Sequence, residues 1–263
     1  MPVHGAVCVT SGGMDSITMA LKMHKDGYKI ILMHGDLGQK SMDKEHEAVD
    51  KIGKILDVPV AFVDMSWLGA LGGSSLTDIK IKIPLGMDSM RESCGITEYE
   101  KEGLWTPARN VVLLACGAAI AERYEYEYVT LGGNMSECAY PDNTKEFGNR
   151  FSYMLEMGCL KPPKVIMPLY ELNKVELLKW GHDNGYGKIY EHTWSCDDGQ
   201  DKPCGVCGCC CNRRLAYYIL RKNYSAIDYV DEQEYGDFEY FYNVFLEDLN
   251  KDESKKFWWN KYF

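Results

Sequence analysis

The sequence has no apolar run approaching the roughly 20 residues that a membrane-crossing helix needs. Its opening residues, MPVHGAVCV, carry neither the basic segment nor the cleavage site of a secretory leader, so a cytoplasmic protein without membrane contact is expected. Positive charge is in short supply: 29 Lys and Arg face 39 Asp and Glu, a formal net charge of −10. Nucleic-acid affinity rests on basic surface, so direct binding of DNA or RNA is set aside in favour of small-molecule chemistry. Histidine is scarce, at six residues, and none stands at metal-ligand spacing from the cysteines. A disulfide framework is missing too. Eleven cysteines are present, but five (Cys204, Cys207, Cys209, Cys210 and Cys211) crowd into one short stretch. In a reducing compartment such a cluster reads as a metal site.

The last absence is local. The apolar run AVCV (6–9) leads into TSGGMDS (10–16), where a phosphate loop of the G-x-x-x-x-G-K-[ST] kind would place a lysine. None is there. Glycines allow close backbone approach, the following helix start offers amide N–H groups and positive potential, and Ser11 and Ser16 add hydroxyls. Together these make an anion site that needs no lysine.

What is present is ordinary for one sizeable globular domain: 263 residues, 46% hydrophobic and 26% charged. Strand-like runs at 6–10, 29–34, 60–64, 128–133 and 165–169 alternate with helical patterns at 15–24 and 43–56. A further helix follows the Thr106–Pro107 pair, read as cap and first helical residue. Another opens at Asn173, with Glu176 three residues on as in a capping box. This alternation predicts an α/β fold, a doubly wound parallel sheet, with ligands bound beyond the carboxyl ends of its strands. TSGGMDS, GDLGQ (35–39) and GGNMSE (132–137) each follow a predicted strand and should share one crevice. Residues 68–100 read as a long loop or lid. From about Tyr224 the chain is acidic yet aromatic: residues 228–253 carry a net charge of −9, and 13 of the 32 aromatic residues lie beyond 223. Helical segments packed on the domain or on a second subunit are expected there, which favours a homodimer.

Cys196, Cys204, Cys207 and Cys210 can close a tetrahedral zinc shell, with Gly205 and Gly208 permitting the turns. On spacing alone Cys211 competes with Cys210 for the fourth place. A redox-active pair is the alternative use.

S-G-G-x-D-S after the first strand resembles the pyrophosphate loop of the ATP-pyrophosphatase family, whose sheet is of the Rossmann-like, adenine nucleotide alpha hydrolase kind. The resemblance implies that Thr10, Ser11, Gly12, Gly13, Met14, Asp15 and Ser16 bind ATP, with Mg²⁺ sharing the phosphate charge. Trp194 to Cys196 followed by C-G-x-C-x-x-C-x-x-R (Cys204 to Arg213) resembles the zinc site of the 7-cyano-7-deazaguanine synthase family. That resemblance selects Cys210 as fourth ligand and extends over most of residues 5–222. GDLGQKSMDKE (35–45), TPARN (106–110), GGNMSECAYPDNTKEF (132–147) and LNKVELLKWG (172–181) match it; TPARN has alanine where the family commonly has glycine.

The family's reaction converts 7-carboxy-7-deazaguanine, ammonia and ATP to the nitrile, through adenylated carboxylate and amide. By this likeness a nucleotide-binding domain spans 1–190, a zinc-binding helical segment 191–222 and an added extension 223–263. Arg109 is a candidate to neutralise phosphate or the substrate carboxylate, and Asp142 to hold the purine-like ring. Lys174 is a candidate to reach phosphate, and Asp36, Gln39, Asn110 and Gly133 to contact the nucleotide. Each has a plainer reading: a surface ion pair for Arg109, helix-backbone bonding for Asn110, turns for Asp36, Gln39 and Asp142, a solvated lysine for Lys174. Two other functions stay open, a related ligase that stops at the amide or takes another acceptor, and a nucleotide-binding scaffold.

Overall fold

The computed structural model describes residues 3–85, 103–134 and 140–223. Five parallel strands, β1 (Val3–Val9), β2 (Lys29–Asp36), β3 (Val60–Asp64), β4 (Tyr126–Thr130) and β5 (Lys164–Ile166), lie in the order β3-β2-β1-β4-β5. A strand buried on both faces needs apolar residues throughout, and β1 at the sheet centre meets that demand. Val7 and Val9 face one side, packing on Leu114, Ala118 and Ala121 of α4 (Arg109–Tyr124) and on Phe151 and Leu155 of α5 (Lys145–Gly158). Ala6 and Cys8 face the other, packing on Ile17, Ala20 and Leu21 of α1 (Met14–Lys25) and on Val49 and Ile52 of α2 (Met42–Leu56). Alternate side chains of one strand thus hold two helical layers. Each fully buried Ile or Leu contributes roughly 1.5–3 kcal/mol.

Asp64 ends β3 and its carboxylate accepts from the Ser66 amide at 2.9 Å, opening the one-turn α3 (Ser66–Gly69). The remaining helices, α6 (Lys174–Asp183) and α7 (Gly208–Asn223), belong to the C-terminal part. The capping box predicted at Asn173 is present: its side chain accepts from the Glu176 amide at 2.9 Å, and Glu176 accepts from the Asn173 amide at 2.9 Å. α6 packs against α1 through Leu177 and Met19.

Three boundaries near the site differ from expectation. The helix expected from Thr106–Pro107 begins at Arg109, because Ala108 takes a left-handed conformation at φ 57° and cannot be its first residue. Thr106 instead donates its hydroxyl to Ser74 at 3.1 Å in the buried interior. β4 and β5 end at Thr130 and Ile166, ahead of the expected 133 and 169, because the chain beyond each leaves the sheet. The described part of the long loop packs inward, with Ser74 and Ser75 fully buried. Its residues 86–102, and the tail at 224–263 on which a homodimer was expected, lie outside the described residues. All nine cysteines among the described residues are free thiols, and no described helix is long and apolar enough to cross a membrane.

Candidate nucleotide crevice and metal centre

The strand order reverses between β1 and β4, and a crevice of about 290 Å³ opens there, beyond their carboxyl ends. Parallel sheets place ligands at this position. The turn after β1 forms one wall. Gly12 sits at φ 77°, a conformation open to glycine, and an added Cβ would stand 3.2 Å from the Glu45 carbonyl oxygen of α2. Hydroxyls organise the turn: the Ser11 amide donates to Ser16 Oγ at 3.2 Å and the Gly12 amide to Thr10 Oγ1 at 3.1 Å. Gly13 caps α1, whose first turn therefore faces the crevice with Met14, Asp15 and Ser16. The amides of a first helical turn have no acceptor within the helix and favour an anion.

The lysine absent from the loop arrives from elsewhere. Lys174, first residue of α6 and 7% exposed, places Nζ 3.0 Å from Asp15 Oδ2. Capping of α6 by Asn173 fixes the direction from which it enters.

Of the nucleotide candidates, Thr10, Ser11, Gly13, Met14, Asp15, Ser16, Gln39, Asn110 and Gly133 line the crevice, together with Arg109 and Lys174. Gly12, Asp36 and Asp142 do not line it. Gly12 serves the wall from behind, through its carbonyl. Asp36 turns to His46. Asp142 is buried beside Arg109 and Asn110; burial raises its carboxyl above the ordinary value, a shift the Arg109 charge and the Asn110 amide oppose. Asn110 also donates to Asn143 Oδ1 at 3.1 Å.

Among the lining residues, His34 reads from sequence as a strand-end histidine for which a core or surface role is preferred to a functional one, and Glu45 only as the end of the 35–45 segment. His34, buried at the end of β2, donates Nδ1–H to the Thr10 carbonyl at 2.9 Å and so braces the loop. Glu45 accepts from Gln39 Nε2 at 2.7 Å and from Ser41 Oγ at 2.6 Å. Asp197, next to Cys196, is half-buried and its carboxyl is pushed up to about 6 by desolvation. Its place directly after a metal-ligand candidate was the available signal.

The four predicted metal ligands converge. The sulfurs of Cys196, Cys204, Cys207 and Cys210 all lie within 4.8 Å of one another. Gly205 at φ 76° turns the first C-x-x-C step, and Cys210 rides on the first turn of α7. Backbone amides point at sulfur: Cys204 N to Cys196 Sγ at 3.2 Å and Cys207 N to Cys204 Sγ at 3.2 Å. Such donors favour thiolate. Hydrogen bonds from the Cys196 and Cys207 thiols hold Cys204 far below the usual thiol range. Thiolates gathered this closely call for a cation, and four sulfurs suit tetrahedral zinc. Cys211 is a spare, buried and pushed up to about 11 by desolvation. Ile83 of the long loop and Leu104, just beyond it, pack on the cluster.

Metal centre and crevice are joined. The Trp194 amide donates to the Gly12 carbonyl at 2.9 Å, and Ser195, Cys196 and Cys209 line the crevice. Arg213, buried on α7, donates to the Tyr190 carbonyl at 2.9 Å and to Thr193 Oγ1 at 2.9 Å, tying that helix to the segment leading into Trp194.

A Rossmann-like parallel sheet, a lysine-free glycine and serine loop at its switch point and an abutting four-cysteine cluster that could hold a metal define the class of protein. Comparison narrows the class. Residues 5–221 match the family described as Queuosine biosynthesis protein QueC, and the chain belongs to that family. It is 35% identical over 216 residues to 7-cyano-7-deazaguanine synthase of Methanothermobacter thermautotrophicus, covering 81% of this chain and 94% of that protein. It is 34% identical over 214 residues to 7-cyano-7-deazaguanine synthase 2 of Sulfurisphaera tokodaii, covering 80% of this chain but only 45% of the relative's length. Among solved structures, NMN synthetase from Francisella tularensis matches at 15% identity with a TM-score of 0.43, over 94% of this chain and 86% of that one.

Proposed function

We propose that the protein converts 7-carboxy-7-deazaguanine and ammonia to 7-cyano-7-deazaguanine with two molecules of ATP. The observation that supports this most is the convergence on one crevice of the TSGGMDS loop, Arg109, Lys174 and the Cys196 segment, in a chain of the QueC family. A carboxylate is a poor electrophile, since its leaving group would be oxide. Attack of its oxygen on the α-phosphorus of ATP releases pyrophosphate and leaves an acyl adenylate. Ammonia then displaces AMP, giving the amide with loss of one proton. A second adenylation on the amide oxygen, followed by loss of AMP and of the two nitrogen-bound protons, yields the nitrile.

In this reading the loop from Thr10 to Ser16 holds the departing pyrophosphate through amides and hydroxyls, as charge-stabilising sites do. Lys174 adds the cation that the loop itself lacks. Arg109, which lines the same crevice, neutralises the substrate carboxylate or the α-phosphate, and Asn110 orients the deazaguanine ring with Asp142 bonded to it from behind. Gln39 and Gly133 border the nucleoside. Mg²⁺ would accompany ATP, with Asp15 as its carboxylate on the loop. Zn²⁺ would be held by Cys196, Cys204, Cys207 and Cys210; four thiolates leave no open position, so its contribution would be to fix the Trp194–Asp197 segment against the loop.

The test incubates purified protein with Mg-ATP, ammonia and 7-carboxy-7-deazaguanine and reads products by mass spectrometry. Nitrile with AMP and pyrophosphate is expected. Amide alone would show a ligase that stops halfway, and absence of ATP turnover with any deazapurine would refute the reading.

A further inference from the structure

β2 and α2 bring together a second group of metal-binding side chains, remote in character from the thiolates. His34 Nε2, Asp36 Oδ1 and His46 Nε2 lie within 4.8 Å of one another. His34 and Asp36 are two residues apart on β2 and therefore project from the same side of the strand. His46 reaches them from α2, its ring 4.2 Å from that of Phe62 and edge-on to His34 at 5.2 Å.

We propose that these three residues form a second divalent-metal site, selective for a first-row transition ion that accepts imidazole. Three observations carry it. First, His34 already has the outer hydrogen bond that a metal-bound histidine uses: Nδ1–H donates to the Thr10 carbonyl at 2.9 Å, which fixes the tautomer and leaves the Nε2 lone pair directed at the cluster. Second, that lone pair is only weakly held: it accepts a long hydrogen bond of 3.3 Å from Gln39 Nε2, whose other hydrogen goes to Glu45 at 2.7 Å, while Asp36 Oδ1 and Glu45 Oε2 each stand 3.5 Å from Nε2. Those two separations suit neighbouring ligands that share a cation at roughly 2.0–2.2 Å, whereas His46 Nε2 hydrogen-bonds Asp36 Oδ1 directly and would exchange that shared proton for the ion. Third, the side chains are sequestered: His34 is 2% exposed, Asp36 18% and His46 32%. Two imidazoles and a carboxylate form the donor set of Zn²⁺, Mn²⁺ or Fe²⁺, whereas Mg²⁺ prefers oxygen throughout. Glu45 is placed to complete the shell. Because His34 and Glu45 line the crevice, the ion would stand in its wall and pin α2 to the end of β2, behind the phosphate loop.

Mn²⁺ separates this site from the thiolate centre, which favours softer ions. Zinc-loaded protein is titrated with Mn²⁺ while the paramagnetic signal of the free ion is followed. About one Mn²⁺ per chain is expected to bind, with excess Mg²⁺ failing to displace it. His46→Ala and Asp36→Asn are each expected to weaken Mn²⁺ by at least about tenfold while retaining their zinc and their circular dichroism. His46 is partly exposed, so its variant tests the site without opening the core. Failure of the wild-type protein to bind Mn²⁺, displacement by Mg²⁺, or unchanged affinity in folded His46→Ala protein would overturn the proposal. The outcome is independent of whether the nitrile is made.

Discussion

Replacing Lys174 by methionine keeps the length of the side chain and removes its charge from beside Asp15. At the observed 3.0 Å separation, the gross attraction in an effective dielectric of about 20 is about 5.5 kcal/mol. Much of that is spent desolvating the two groups, whose side chains are 8% and 16% exposed. Breaking such a buried pair from one side costs about 3 kcal/mol, because the surviving charge loses the partner that offset its desolvation. Lys174→Met and Asp15→Asn should therefore each lose about 3 kcal/mol in urea unfolding. The double variant should lose much less than their sum, with a coupling of at least about 1.5 kcal/mol. Single losses that add to within about 0.5 kcal/mol would refute the pairing. Under the nucleotide reading, Lys174→Met should also weaken Mg-ATP roughly tenfold, a difference of about 1.4 kcal/mol measurable by calorimetry.

Cys204→Ser or Cys210→Ser should drop zinc content from about one per chain to near zero by metal analysis, whereas Cys209→Ser should retain it. Gly132→Ala sets a Cβ 2.8 Å from Ser16 Cα; the phosphate loop must move, and a loss of roughly 1–3 kcal/mol in thermal unfolding is expected. Asp142 carries its own pH signature, since burial raises its folded pKa above the ordinary 3.8. The folded chain then holds that proton more firmly than the unfolded one, so the destabilisation is absent below the unfolded value and fully present above the raised one. The stability of Asp142→Asn relative to wild type, followed by urea titration, should accordingly rise as pH climbs through that window; a flat difference would contradict it.

The strand runs and most of the helices were legible because β1 is buried on both faces and the flanking helices on one, so hydrophobic period tracked geometry. The cysteine ligands were legible because their sulfurs meet through local C-x-x-C turns. The helix start at Arg109 was not, because Ala108 occupies a left-handed conformation that its residue type disfavours and Thr106 is drawn to Ser74. The Lys174–Asp15 pair joins residues distant in sequence, and only the packing of α6 on α1 makes it. The His34–Asp36–His46 group fails every short spacing rule for the same reason: two ligands share a strand, while the third waits for a helix to fold back over it.

One backbone hydrogen bond has a thermodynamic corollary. Under the proposed function, the Trp194 amide and the Gly12 carbonyl, 2.9 Å apart, would be the shared hinge pin of two binding events. Whatever occupancy of the loop does to the position of Gly12 is felt two residues before the first metal-ligand cysteine, and reciprocity requires the converse in equal measure. Nucleotide should therefore slow the release of zinc to a chelator, and zinc-stripped protein should bind nucleotide less tightly by the same free energy. The two sites then form a single cooperative unit, in which the metal reports the state of the loop.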